Sequence, residues 1–110
     1  MSDVLINSTP AAIKAAVYEV RYHTEGMSPV AWEVFAFLLA APHSTLPYDD
    51  LVLRFGKTAV NAHFGWFCKK VVKALGGTPE STFPLVNKSL DKNKRPIFHL
   101  KKPVIQAMAT

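Results

Sequence analysis

Apolar positions recur at helical spacing over most of this chain and give way near its end to two short apolar runs. The brief segment Val4-Leu5-Ile6 has no period and suits either a strand or a docked tail. Thr9-Pro10 reads as an N-cap followed by proline at the first helical position, where its missing N–H costs nothing. From there Ile13, Val17 and Val20 form a helical stripe to about Thr24, and Gly26 supplies a stop. Ser28-Pro29 repeats the start signal. The helix it predicts, Val30 to Ala41, is apolar nearly all round, with Trp32, Val34, Phe35, Phe37, Leu38 and Leu39. A helix with so little polar face belongs at the centre of its domain. Pro42 ends it.

Pro47 to Phe55 predicts a short helix with Leu51 and Phe55 inward, and with Asp49 and Asp50 near the positive end of its dipole. Gly56-Lys57-Thr58 is then a tight turn, with Thr58 placed to cap the helix that follows, 58–75. In that helix Val60, Phe64, Phe67, Val71 and Leu75 fall on one stripe. The opposite arc carries Ala62, Gly65, Trp66, Lys69 and Lys73, with Asn61, His63 and Lys70 at its margins. One side can enter a core while the other offers an aromatic, small residues and cations. Two helices joined by so short a link form a helix-turn-helix. Gly76-Gly77 stops the second, and Thr78 to Ser81 is loop. The runs Leu85–Leu90 and Pro96–Leu100 flank Asp91-Lys92-Asn93-Lys94, a hairpin with a cationic tip. Residues 103–110 make a tail of one or two helical turns.

A chain of 110 residues with 49% apolar content is one globular domain. Its net charge is +5, but the distribution says more than the total. Residues 1–50 hold two basic against six acidic side chains, and residues 51–110 hold eleven basic against two acidic. The second half therefore builds a cationic surface, the electrostatic footprint of a nucleic-acid binder. A solvated basic face that merely aids solubility is the other reading. Cys68 is the sole cysteine, so no internal disulfide forms. The longest apolar run, Val34 to Ala41, is too short to span a bilayer, and the amino terminus lacks a basic n-region. The expectation is a cytoplasmic protein with no membrane partner.

Candidate chemistry is sparse. His23, His43, His63 and His99 are scattered without zinc-ligand spacing, so no metal or other cofactor is expected. His63 and Cys68 are five apart on one helix, which rotates them away from each other. Asp49 and Asp50 look like helix-start charges, and Gly76-Gly77 follows a helix rather than a strand. The chain reads as non-enzymatic. Asn61 can read adenine bidentately, and Ala62 and Gly65 allow close approach of a groove. Lys69, Lys70 and Lys73 are candidates for phosphate contacts, which position a protein without reading sequence. Lys92, Lys94 and Arg95 at the hairpin tip are candidates for the minor groove or backbone. Trp66 either stands exposed on the helix or folds back over the hairpin as core.

The segment Val60-Asn61-Ala62-His63-Phe64-Gly65-Trp66-Phe67-Cys68-Lys69-Lys70-Val71 resembles the recognition helix of winged-helix transcription factors of the OmpR/PhoB effector-domain type. Val60, His63, Lys69 and Lys70 match that family's pattern without a gap, and Phe64, Phe67 and Val71 are apolar replacements. Met27-Ser28-Pro29 and Pro47-Tyr48-Asp49-Asp50-Leu51 are similar to its upstream signatures, so the resemblance covers about residues 27 to 100. Gly65 and Trp66 stand where the family often carries arginines. The family's amino-terminal sheet has no counterpart in residues 1–26, and the link between the motif helices is shorter than the family's.

The resemblance implies a mostly helical α+β winged helix-turn-helix over 1–110. In it, 1–26 is an extension with an extra amino-terminal helix, 27–75 a three-helix core, 82–102 a hairpin wing and 103–110 a tail. A helical bundle with a flexible tail is the competing arrangement, and the hairpin decides between them. The implied function is that of a small transcriptional regulator, of bacterial or phage type, on double-stranded DNA. Thr58, Asn61, Ala62, Gly65, Trp66, Lys69, Lys70, Lys73, Lys92, Lys94 and Arg95 would face the duplex. Most such domains bind as dimers, and Ile13, Val17, Val20 and Tyr22 could supply that contact or make a fourth core helix. The competing function is a winged-helix module that binds a protein, such as the transcription machinery or a host enzyme. Gly65, Trp66 and Cys68 in place of cations favour it.

Overall fold

The computed structural model describes residues 4–110. Their elements are α1 (Val4–Asn7), α2 (Pro10–His23), α3 (Pro29–Ala40), β1 (Thr45–Pro47), α4 (Tyr48–Phe55), a π-helical turn (Ala59–Phe64) continuing into α5 (Gly65–Ala74), β2 (Val86–Leu90), β3 (Pro96–Leu100) and α6 (Lys102–Met108). The fold is mostly helical α+β. Val4-Leu5-Ile6 is docked rather than a strand: it forms one helical turn that buries Leu5.

Proline and side-chain caps start the helices where the sequence places them. The Thr9 side chain accepts from the Ala12 N–H, and Pro10 opens α2. Pro29 opens α3, whose Ala31, Val34, Phe35 and Leu38 are fully buried. α2 packs against α5 and α6 through Ile13, Ala16, Val17 and Val20. It is a fourth core helix, so Ile13, Val17 and Val20 are not free to contact a second copy. The carboxy-terminal tail is likewise structural, because α6 buries Val104 and Ala107. α5 ends in a Schellman arrangement: Gly77 N–H donates to the Val72 carbonyl at 3.0 Å and Gly76 N–H to that of Lys73 at 2.9 Å. Gly76 takes the left-handed φ of +84° that this stop requires.

Sequence periodicity misses one strand and one helical irregularity. β1 is three residues with a proline, too short to show alternation. It pairs antiparallel with β3, which also pairs with β2, giving the order β1-β3-β2. His99 of the central strand crosses the sheet. Its Nδ1 lies 3.0 Å from Thr45 Oγ1 and its Nε2 2.7 Å from Ser89 Oγ. The Thr45 hydroxyl already donates to the His43 carbonyl, so it accepts from Nδ1–H, and Nε2 accepts from Ser89.

The irregularity lies in 58–75. Thr58 has helical backbone angles and makes no side-chain cap. Gly56 alone separates the two helices: its N–H donates to Val52 and its carbonyl accepts from Val60. The first turns then run as a π-helix, whose i→i+5 bonding stacks residues five apart. Ala59, Val60, Phe64 and Gly65 are all buried along it.

Candidate nucleic-acid interface

An aromatic chain fastens the 58–75 helix to the hairpin. The Phe64 ring lies 5.9 Å from that of Phe83, Phe83 lies 4.9 Å from Phe98, and Phe98 lies 5.3 Å from Tyr48. Phe64 and Phe98 are fully or almost fully buried, so the hairpin base cannot swing independently of the helix. Tyr48 closes the circuit by donating its hydroxyl to Asn61 Oδ1 at 2.6 Å. Between these elements opens a cleft of about 200 Å³ lined by Tyr48, Asn61, Phe83, Lys88, Pro96 and Phe98. Pro96 pairs with Leu90 in the last rung before the hairpin tip. The early helix and the tip end of the wing thus share one cleft.

Of the residues lining it only Asn61 is a sequence candidate; the polar additions are Lys88 and Tyr48. Strand alternation puts Lys88 on the inner side of β2 with Val86, and its Nζ sits 5.1 Å and 5.8 Å from the centres of Phe83 and Phe98. A lysine in register with core positions was the available signal. Cation–π contact holds the ammonium beside these rings at the cleft wall, while the residue as a whole stays exposed.

The remaining candidates divide clearly. Asn61, Ala62, Lys69 and Lys73 are exposed, and Ala62, Lys69 and Lys73 fall near one line along the helix. Lys70 is half-buried with its ammonium 5.4 Å from the Trp66 ring centre. Trp66 is half-buried, which answers neither of the two expectations fully. Lys69 and Lys73 lie 8 and 12 residues beyond Asn61, or roughly 12 and 18 Å along the axis at helical rise. They form a second cationic cluster at the far end from the wing. Thr58 is exposed but serves as helix, not cap.

Gly65 is a correction. It does not lie on the open arc: a Cβ there would meet the Thr82 carbonyl at 3.3 Å and the Phe83 ring at 3.5 Å. The π-helical turn carries it under the 82–83 segment, where an arginine has no room. Cys68 is fully buried as well, and burial pushes its thiol well above the ordinary range. An acid whose native pKa is raised holds its proton longer when folded. Stability from Cys68 is therefore complete below the unfolded thiol's pKa of about 8.5, and declines as pH climbs from there toward the native value. The expected result is no labelling by a thiol reagent at neutral pH until the protein unfolds, read by mass spectrometry across a urea series.

Lys92, Lys94 and Arg95 are exposed at the hairpin tip. Asp91 organises them: its Oδ1 accepts from Asn93 N–H at 2.8 Å and Arg95 N–H at 2.9 Å, and its carbonyl accepts from Lys94 N–H. Lys94 occupies the left-handed region at φ +62°, a position glycine fills without strain. Lys94→Gly is expected to raise stability by roughly 1 kcal/mol, measured by urea denaturation, while removing one cation from the tip. Unchanged or lower stability contradicts the strain.

The chain matches no protein-family model, no curated protein and no solved structure. Among the described residues, no helix is long and apolar enough to cross a membrane, and no group of three or more metal-ligating side chains converges.

Proposed function

We propose that this protein binds double-stranded DNA in the manner of a winged helix and acts as a small transcriptional regulator. The helix 58–75 enters the major groove, whose width fits an α-helix. The basic hairpin lies on the adjacent backbone or minor groove. The observation that carries the reading is the shared cleft, in which Asn61 of the helix, Lys88 and Pro96 of the hairpin line one opening. Supporting it is the element order: a helix, a short strand, two helices and a two-stranded hairpin, with the short strand on the far side of β3. Exposed cations lie beyond the cleft on both elements: Lys92, Lys94 and Arg95 at the hairpin tip, and Lys69 and Lys73 farther along the helix.

A second reading is a protein-binding module on the same scaffold, acting as an adaptor, an anti-activator or a phage protein that occupies a host protein. Burial of Gly65 and Cys68 removes two of the three features that favoured it, leaving Trp66. Leu53 on α4 is its new support, being 88% exposed beside Phe37 and Leu46. Titration of a labelled generic duplex over a salt series separates the two. DNA binding predicts log K falling with log salt at a slope of roughly −4.5 to −6.3, as five to seven cations displace counterions. No duplex binding at low salt, with a nuclease-resistant protein partner, selects the second reading.

A further inference from the structure

The cleft between helix and wing contains a contact that does more than hold the two together. Asn61 is exposed, yet its amide is biased to one orientation: Tyr48 Oη donates to Oδ1 at 2.6 Å, and a phenol, though able to accept, is the stronger as a donor, so the amide oxygen rather than the nitrogen faces it. The Tyr48 ring is itself packed on Phe98, so the hydroxyl comes from the rigid sheet side. An unrestrained asparagine exchanges its oxygen and nitrogen by rotation about χ2, which inverts donor and acceptor. Here one lone pair of Oδ1 is occupied by the phenol. The second lone pair and the amide N–H groups remain for a ligand. That edge, one acceptor beside one donor, complements adenine in the major groove, whose N6 donates and whose N7 accepts. Guanine presents two acceptors there and would set O6 against Oδ1.

We propose that Tyr48 is a positioning residue that locks the Asn61 amide in the orientation that reads adenine. The inference rests on the DNA-binding reading above. Accepting the phenolic hydrogen also polarises the amide and strengthens its N–H donors. Lys88 on the opposite wall is suited to a phosphate, a contact that positions the duplex, while the Tyr48–Asn61 pair supplies the adenine preference.

Selection of sites from a randomised duplex pool tests the proposal, using the full chain, Tyr48→Phe, Asn61→Ala, their double variant and Asn61→Asp. The unaltered protein is expected to select adenine at one position. Tyr48→Phe keeps the ring on Phe98 and should lose roughly five-fold in preference for adenine there, out of the ~5- to 150-fold that a bidentate contact supplies. Its salt slope should not change, and its melting temperature should fall by no more than a few degrees, as for one hydrogen bond; a merely structural tyrosine would leave the adenine preference unmoved. The double variant should lose no more than Asn61→Ala alone, since the two residues act as one unit. Asn61→Asp, on the surface, offers acceptors only and should shift the preference to cytosine. Full adenine preference in Tyr48→Phe, additive losses in the double variant, or retained adenine preference in Asn61→Asp overturns the proposal and leaves DNA binding intact. Absence of any duplex binding by the folded protein overturns both.

Discussion

Replacing both Lys69 and Lys70 by glutamate is expected to lower duplex affinity by about 30-fold or more at physiological salt, and to flatten the salt slope by roughly 1.8. The arithmetic is that of two phosphate contacts, each releasing about 0.9 counterion. The two lysines differ in how they are held. Lys69 is exposed and unencumbered, whereas Lys70 is tethered over Trp66, which fixes its ammonium in place. Repulsion from the new carboxylates adds to the loss of attraction. Stability should fall by about 1 kcal/mol at most, chiefly from losing the Lys70–Trp66 cation–π contact, since the Lys69 change is a surface one. Affinity and slope are read together by fluorescence anisotropy across the salt series. Unchanged affinity would remove the far end of the helix from the interface.

Phe67→Ala should produce the largest loss of stability, about 3–5 kcal/mol. Phe67 is fully buried, with its ring 5.2 Å from Phe35 and 6.3 Å from Trp32. It therefore joins the helix 58–75 to the central helix α3, and Trp32 continues the stack to Tyr18 on α2. Removing the ring leaves a cavity among groups that other contacts hold apart, so collapse cannot recover the loss. Against a total stability of about 5–15 kcal/mol for a domain of this size, the variant loses a large part of its margin. Thermal unfolding by circular dichroism should show a fall on the order of 20 °C. A fall of only a few degrees would mean that the helix is not anchored through this ring.

The helices were legible wherever burial followed a 3.6-residue period. Of the stripe, Val60, Phe64, Phe67 and Val71 are fully buried, and Leu75 at its end is half-buried. Proline and glycine punctuation located both ends of α2 and α3, and the carboxy-terminal end of α5, to within a residue or two. The hairpin was legible because apolar runs flank a polar turn, and Asp91 closes that turn through its own side chain. β1 was not, because three residues cannot display alternation and their pairing depends on β3, fifty residues later. The π-helical turn was also hidden. One extra residue per turn leaves no composition signal, yet it decides that Gly65 faces the 82–83 segment rather than a groove.

The candidate site was legible as charge but not as geometry. Lysines on the helix and at the tip announce themselves in the sequence. The Tyr48–Asn61 hydrogen bond joins residues thirteen apart on different helices, and Lys88 reads as an ordinary strand lysine until its pairing is known. Both belong to the cleft because the aromatic chain through Phe64, Phe83 and Phe98 draws the hairpin onto the helix. Packing, not local sequence, assembles the site.

Backbone amide shifts followed while a short duplex is added to the intact protein test the central claim most directly. The account predicts that Asn61, Lys69, Lys88 and Lys94 move together and saturate at one affinity, while Leu53 on α4 and Tyr22 on α2 stay still. Shifts confined to the Leu53 side, or none at all at low salt, would contradict it.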